Sequence, residues 1–179
     1  AEYTLEVNKP EFVDISGHWA GEYIDFTAAR DLFRGIGNGR FDPNGQMTRA
    51  MFVTVLARLD GAELSAYKNT QFKDVETRSW YESSVAWALQ NKIINGTSKT
   101  TFAPDEPVTR EQMAVIMFNY AKSKGYNIST MDTAPAPFAD IGSVSHWAEE
   151  AVKWIQNTGI MNGKPGNLFD PSGIASRAE

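Results

Sequence analysis

Three arginines in a repeated setting are the residues of this chain best suited to bind a ligand. Arg49, Arg110 and Arg177 each directly follow a threonine or serine that is suited to cap a helix. A cation in the first turn of a helix faces the positive end of the helix dipole, which costs roughly a few tenths of a kcal/mol. Three such costs indicate a compensating role. A guanidinium beside free helix amides can hold a carboxylate, and one charge-assisted hydrogen bond contributes roughly 1.5–3 kcal/mol.

The residues alone leave a second interpretation of these arginines open. Each arginine can instead pair with one of three repeated aspartates and simply lock its repeat. These aspartates are Asp14, Asp74 and Asp140. They are also suited to cap a helix or to accept the hydroxyls of a sugar. The sequence pattern by itself favours neither interpretation.

The arginines belong to a unit that occurs three times. With the tryptophan of each unit as zero, a glycine follows at sixteen, a phenylalanine at twenty-two, a proline at twenty-four, a hydroxyl residue at twenty-nine and the arginine at thirty. The tryptophans, Trp19, Trp80 and Trp147, lie 61 and 67 residues apart. Constant spacing within units and variable spacing between them indicates one structural module with connectors of variable length.

Composition bounds the function of these modules. The chain has 179 residues, is 42% hydrophobic and 22% charged, and carries a net charge of −5, which argues against a general binder of nucleic acid or of anionic membranes. It has no cysteine, so disulfides, thiol catalysis and cysteine-ligated zinc are excluded. No apolar run approaches the roughly 18 residues of a membrane helix. The start lacks Met and a signal pattern, and we expect the chain to be a mature or excised segment.

Each unit is predicted to contain two helices joined by a loop. The first helices should run from an N-cap at Ser16 toward Phe33, from about Trp80 to Asn91, and from Trp147 onward. The second helices should begin after Thr48 and Thr109, and the latter starts a capping box with Gln112. A further capping box, Ser176–Glu179, predicts a second helix for the third unit, which the chain does not contain. We expect part of the third unit's surroundings to be exposed as a result.

The repeated tryptophans and glycines each have a structural and a functional interpretation. The tryptophans are predicted to be core residues, and an edge that faces a groove would stack against a sugar. Trp87 and Trp154, seven residues further on, are predicted to be packing residues. Gly35, Gly96 and Gly163 are predicted to stop helices, and close approach of their backbone to a sugar is the second possibility.

The ordered motifs of each unit resemble the S-layer homology domain. In the first unit they are Phe12-Val-Asp14, His18-Trp19-Ala20, Gly35, Phe41-Asp-Pro43 and Thr48-Arg49-Ala50-Met51. The resemblance covers residues 12–179. The family's closing motif is Thr-Arg-Ala-Glu. Met51 replaces its glutamate in the first unit, the second unit reads Thr-Arg-Glu-Gln, and only the third keeps the final acid.

The resemblance implies an all-α fold of three tandem helix-loop-helix repeats in a pseudo-threefold, three-pronged arrangement. The predicted boundaries are 1–66 with an N-terminal lead-in, 67–131, and 132–179 without its second helix. The family holds exported bacterial proteins non-covalently on a secondary cell-wall polysaccharide, often through pyruvylated N-acetylmannosamine, in grooves between repeats. With the family's arginine as ligand, the predicted glycan-binding residues are Arg49, Arg110, Arg177, Asp14, Asp74, Asp140, Trp19, Trp80, Trp147, Gly35, Gly96 and Gly163.

The predicted role is therefore extracellular anchoring at the cell wall or S-layer of a bacterium. The partners are the polysaccharide and an attached cargo domain or S-layer lattice, with no nucleic acid and no membrane insertion. No catalytic residue, cofactor or metal is expected, because the available acids, Glu111, Glu149 and Glu150, do not recur at matching repeat positions. The alternatives are a helical protein-interaction module and an accessory domain of a cell-surface glycoside hydrolase.

Overall fold

The computed structural model describes residues 10–129 and 136–179, and most of the predicted lead-in lies outside these ranges. Within them the chain forms five α-helices and short 3-10 turns, with isolated β-bridges in place of a sheet. The fold is all-α, as predicted. The helices are α1 (Gly21–Ala28), α2 (Arg49–Leu59), α3 (Glu82–Gln90), α4 (Arg110–Ser123) and α5 (Glu149–Asn157), and the 3-10 turns are Leu64–Ala66, Ile141–Ser143 and His146–Ala148.

A ring of three backbone hydrogen bonds joins the repeats around a pseudo-threefold axis. The amide of Met47 donates to the carbonyl of Ala175 (2.9 Å), that of Ala175 to Val108 (3.2 Å), and that of Val108 back to Met47 (2.8 Å). All three residues are buried and stand at the same position of their repeats. The cyclic pattern means that the three copies form one closed unit rather than a linear array.

Each second helix packs against the first helix of the next repeat. The α2–α3 pair encloses a core that includes Phe52, Leu56 and Val85, and the α4–α5 pair encloses a second core around Phe118 and Ile155. The burial of these apolar side chains is the main source of stability for such short helices.

Helix α1 has no such partner among the described residues. Its Ile24, together with Ala20 just before the helix, lies in a small core with Phe41. Its Tyr23 and Phe26 are 69% and 55% exposed. The exposure expected near the third unit is therefore found on the first helix of the first unit.

The second helices begin as predicted, whereas the limits of α1 were predicted wrongly. Thr48 accepts the amide of Met51, and Thr109 and Gln112 form the full capping box. Helix α1, however, begins after Ala20 without a side-chain cap, not after Ser16, and it ends at Ala28, not near Phe33. The other first helices likewise begin two residues after the tryptophan.

Left-handed residues explain where these helices stop. The chain takes positive φ angles of 55° at Asp31, 59° at Lys92 and 66° at Gly159. These three residues occupy the same position of their repeats, twelve after the tryptophan. A left-handed residue just after the last turn is a common helix terminator. Only one of the three is glycine, which is why the sequence pattern did not reveal the stop.

Candidate functional site

Each motif arginine leaves its own repeat and inserts into the loop of the next one. Arg49 is 5% exposed. Its Nε donates to the carbonyl of Phe102 at 2.9 Å, its Nη2 to the carbonyl of Asn95 at 3.3 Å and its Nη1 to Oε1 of Gln112 at 3.3 Å. The guanidinium also lies 4.8 Å from the centre of the Phe102 ring. The first two repeats are therefore joined by one buried side chain.

The same insertion recurs at the other two junctions. Arg110 donates to the carbonyls of Phe169 (2.7 Å) and Asn162 (2.9 Å) in the third repeat. Arg177 donates to the carbonyls of Phe41 and Arg34, both at 2.9 Å, in the first repeat. Because the last repeat returns to the first, the three arginines close a ring.

The repeated aspartates hold the opposite side of the same loops. Asp74 accepts the amides of Phe102 (2.8 Å) and Ala103 (2.7 Å), while Arg49 binds the carbonyl of that same phenylalanine. Asp14 and Asp140 accept the matching amides. In the described chain none of the three motif arginines forms an ion pair with these aspartates, so the predicted arginine–aspartate pairing was wrong. The arginines join the repeats through backbone carbonyls instead, and the arginine that pairs with Asp14 is Arg40, at 3.5 Å. We call each Asp–Phe–Arg arrangement a clamp.

The predicted carboxylate site on free helix amides was wrong. The amide of Arg49 donates to the carbonyl of Glu106, and that of Ala50 to the carbonyl of Pro104, both at 3.0 Å. Helix α4 is joined to the third repeat in the same way, through the carbonyls of Gly173 and Pro171. These amides are used to join repeats, so an anion at this site must rely on the guanidinium.

The prediction that the repeated tryptophans are core residues was also wrong. Trp19, Trp80 and Trp147 are 66%, 61% and 58% exposed. Each stands in a turn or a 3-10 turn just before its helix. Trp87 and Trp154, predicted to be packing residues, are 3% and 4% exposed. The exposed tryptophans instead line three surface grooves.

We name each groove after its arginine. The Arg49 groove, of about 500 Å³, has Gly96 and Trp147 in its walls. The Arg177 groove, of about 350 Å³, has Gly35 and Trp80.

The third groove follows the same rule. The Arg110 groove, of about 580 Å³, has Gly163 and Trp19. Every groove thus combines the arginine of one repeat with the glycine of the next and the tryptophan of the remaining one.

The three grooves bring together nine of the twelve predicted site residues. The other three, the aspartates, lie in the clamps and do not line the grooves. Because each groove draws on all three repeats, none can form from a single repeat or from a pair.

The comparisons with known proteins identify this arrangement. The sequence profile of the S-layer homology domain matches residues 11–51, 71–114 and 137–179. The chain belongs to the S-layer homology family. Each match falls within one of the three predicted repeat ranges, whose outer limits stay a prediction.

Relatives of this S-layer homology chain include enzymes and surface proteins. It is 34% identical over 169 residues to Exoglucanase XynX of Acetivibrio thermocellus, covering 94% of this chain and 15% of that protein. It is 29% identical over 162 residues to the Cellulosome-anchoring protein of the same species, covering 89% and 34%. The Surface-layer 125 kDa protein of Lysinibacillus sphaericus is 29% identical over 157 residues, covering 88% and 13%. The chain thus spans about a third or less of these relatives, and the names of the last two agree with the predicted cell-surface location.

The motif glycines do not stop helices as predicted. Helix α3 ends six residues before Gly96. None of the three motif glycines, Gly35, Gly96 and Gly163, has a positive φ. A Cβ at Gly96 would overlap the carbonyl oxygens of Ser98 and Thr101, and one at Gly35 would lie 2.6 Å from both Phe12 Cε1 and the carbonyl of Arg40. Glycine is required here because the loop folds back on itself.

The backbone of these glycines is open to the grooves. Across residues 10–129 and 136–179, no acceptor is found for the amides of Gly35, Gly96 and Gly163. Each glycine directly follows the residue whose carbonyl binds the arginine. An amide donor and a guanidinium are therefore neighbours in each groove.

Burial makes the arginines receptive to an anion. It lowers the pKa of Arg49 from its ordinary value, although the carboxylate of Asp74 opposes this effect. Burial likewise lowers the pKa of Arg177 against the influence of Asp42 and Asp14. Desolvation is what disfavours the charged form, so an incoming carboxylate would stabilise it.

Two groove positions were not predicted from the sequence. The first is the last residue of the closing motif, where Met51, Gln112 and Glu179 face the three arginines. The second lies nine residues after the arginine, where Arg58 lines one groove and Asn119 another. At the first position, Met51 and Gln112 depart from the glutamate of the family motif. The second carries no repeated residue type that would have signalled it.

Neither a membrane segment nor a metal cluster is found in the described chain. None of its helices is long and apolar enough to cross a bilayer. No three His, Cys, Asp or Glu side chains lie close enough together to hold a metal ion.

Proposed function

We propose that this S-layer homology segment anchors its parent protein non-covalently to the cell wall by binding a secondary cell-wall polysaccharide. The observation that carries the proposal is the convergence of arginine, glycine and tryptophan from three different repeats in each groove. The names of the surface-layer and cellulosome-anchoring relatives support the same role. The polysaccharide unit we propose is pyruvylated N-acetylmannosamine.

The carboxylate of the pyruvate ketal faces the groove arginine. A guanidinium has five N–H donors, and within the described contacts Arg49 uses three. Two donors are thus left for an anion. The free amide of Gly96 supplies a third donor in the same groove. Charge-assisted hydrogen bonds of this kind contribute roughly 1.5–3 kcal/mol each when little solvent competes.

The tryptophan provides the apolar part of the site. Trp147 is 58% exposed on the groove wall, and sugars present C–H faces that pack on aromatic rings. A flat ring on one wall and a guanidinium on the other suit a sugar that carries one acidic substituent. An uncharged hexosamine could pack on the aromatic ring but would not pair with the guanidinium, so we expect it to bind less tightly.

The enzyme names among the relatives do not transfer to this segment. The S-layer homology repeats account for the chain, which covers 15% of the exoglucanase. The carboxylate in the groove walls that could serve catalysis is that of Glu179, and it is ion-paired with Arg110 at 3.0 Å. We therefore propose a binding module whose parent protein supplies any catalysis.

Calorimetric titration of the chain with the methyl glycoside of pyruvylated N-acetylmannosamine tests the proposal. Saturable heat is expected. The affinity for the unpyruvylated sugar, which lacks the charged group, should be at least about tenfold lower. Trp147→Ala should remove binding in the Arg49 groove without unfolding the protein, because the side chain is exposed. The arginines are unsuitable for this test, since their substitution would open the clamps.

Phe26→Ala is the matched control. Phe26 is 55% exposed but lies outside the three grooves, so its loss should leave the titration unchanged. Equal affinity for both sugars, or equal effects of Trp147→Ala and Phe26→Ala, would contradict the proposal.

A further inference from the structure

The Arg49 and Arg177 grooves differ in charge. Two positions of the repeat, one residue before the motif glycine and nine residues after the motif arginine of that same repeat, are Asn95 and Asn119 in the Arg49 groove. The same positions carry Arg34 and Arg58 in the Arg177 groove. Two amide side chains of one groove are thus replaced by two guanidinium groups in the other.

The residue that faces the motif arginine sharpens this difference. Nη1 of Arg49 donates to the amide oxygen of Gln112. Nη1 of Arg177 has only the sulfur of Met51, at 3.7 Å, and a thioether is a weak acceptor. Arg177 is 8% exposed, so a buried cation in this groove has a donor group without an oxygen partner in the described chain.

The walls of the Arg177 groove contain three arginines and no carboxylate. Asp31, which binds Arg34 at 2.7 and 2.8 Å, lies outside the groove walls. Burial lowers the pKa of Arg58, and the charge of Arg34 lowers it further, although the carboxylate of Asp31 opposes both effects in part. Like charges held together in a partly dry groove are destabilising until an anion enters.

We infer that the Arg177 groove is the principal site for the anionic sugar, and that it binds this sugar more tightly and with a steeper salt dependence than the Arg49 groove. The inference rests on the proposed function and adds a ranking to it. The Arg110 groove is left out of the ranking, because Glu179 binds Nη1 of Arg110 at 3.0 Å while Arg177 and Lys164 also line this groove. An internal carboxylate there competes with that of the ligand.

A tryptophan in the wall of each groove can report on binding in that groove. Trp80 lines the Arg177 groove and Trp147 the Arg49 groove. Their indole N–H resonances, assigned with Trp80→Phe and Trp147→Phe, can be followed while the 15N-labelled chain is titrated with the methyl glycoside of pyruvylated N-acetylmannosamine. At low salt the Trp80 resonance should reach half-saturation at a concentration about three- to tenfold lower than that of Trp147. Added salt should reduce this ratio, because exposed guanidinium groups are screened.

Reciprocal substitutions test whether the arginines cause the difference. Arg58→Asn should bring the Trp80 midpoint to within about twofold of that of Trp147, and Asn119→Arg should lower the midpoint of Trp147. Arg58 also donates to the carbonyl of Leu32 at 3.1 Å, so Arg34→Asn, at a largely exposed side chain, provides a second variant with the same expected direction.

The outcomes separate the two proposals. Equal midpoints for Trp80 and Trp147, or a ratio that neither arginine variant changes, overturn the ranking and leave the binding function standing. If neither resonance responds to the pyruvylated sugar more than to the unpyruvylated one, the proposed function fails and the ranking fails with it.

Discussion

The junction closed by Arg49 and the junction closed by Arg177 have the same clamp but different groove walls. In both, the arginine binds a phenylalanine carbonyl at 2.9 Å and the carbonyl that precedes the motif glycine. The Arg49 junction joins adjacent repeats, whereas the Arg177 junction joins the two ends of the chain. Yet their contacts are the same, because the pseudo-threefold ring makes the three junctions equivalent.

The side chains of the groove walls, unlike the clamps, differ between the two junctions. Gln112 and Asn119 in one groove are replaced by Met51 and Arg58 in the other. The contacts that assemble the ring therefore repeat, whereas some of the side chains that line the grooves vary from one groove to the next. Loss of the arginine should lower stability about equally at each junction, whereas the grooves should differ in binding.

The largest effect is expected from Arg49→Ala. The substitution leaves the carbonyls of Phe102 and Asn95 without their buried donor, and we expect the free energy of unfolding to fall by about 3 kcal/mol. Arg110→Ala should cost a similar amount, because its two carbonyl contacts are equivalent. Urea unfolding followed by circular dichroism measures both.

Arg30→Ala is the control for charge removal alone. Arg30 is exposed and stacks on Phe26 at 3.5 Å, so its loss should cost less than about 1 kcal/mol. If Arg49→Ala were no more destabilising than Arg30→Ala, the clamps would not be what holds the repeats together.

The second largest effect is expected from alanine substitutions of the motif glycines, which should differ between two junctions. Alanine at position 96 would overlap two backbone carbonyls, whereas a Cβ at position 163 lies 3.0 Å from the edge of the Phe138 ring and 3.3 Å from a carbonyl. A ring can shift but a loop backbone held by a clamp cannot. Gly96→Ala should therefore lower the unfolding free energy by about 2 kcal/mol and Gly163→Ala by less than about 1 kcal/mol. Equal melting temperatures for the two variants would show that the loops are less tightly closed than the contacts indicate.

Much of the fold was predictable because the repeat is visible in the sequence. Constant offsets predicted three equivalent units, and the Thr109–Gln112 capping box predicted the start of α4 to the residue. Nine of the twelve predicted site residues meet in the grooves because each motif recurs at one position of a symmetric ring.

The errors came from residues whose type misleads about their position. Trp80 suggested a core residue by its size, but it stands in the turn before α3, where its neighbour Tyr81 is buried and Trp80 itself is exposed. Gly96 suggested a helix stop, whereas Lys92 provides it with a φ of 59°. The partner of each arginine lies in another repeat, between 46 and 143 residues away, and no local pattern reports such a contact.

The smallest effect concerns the carboxylate of a single clamp and depends on pH. Burial alone would raise the pKa of Asp140, but the amides of Phe169 and Asp170, together with Arg110, hold it below its usual value of 3.8. A pKa lowered by folding contributes stability that is present above the unfolded value and is lost as the pH falls through the folded one. Wild-type protein should therefore lose this contribution below about pH 4.

Asp140→Asn should cost about 1 kcal/mol at pH 7, since an amide oxygen accepts more weakly than a carboxylate and its NH2 faces a donor. The difference from wild type should shrink as the pH is lowered from 7 to 3, because the wild-type carboxylate then becomes protonated. Urea midpoints at these two pH values measure the change, with Asp105→Asn, at an exposed turn position, as the control that should show no such convergence. A constant difference at both pH values would mean that the clamp depends on the shape of the side chain and not on its charge. That result would also weaken the case that the three clamps act electrostatically on their arginines.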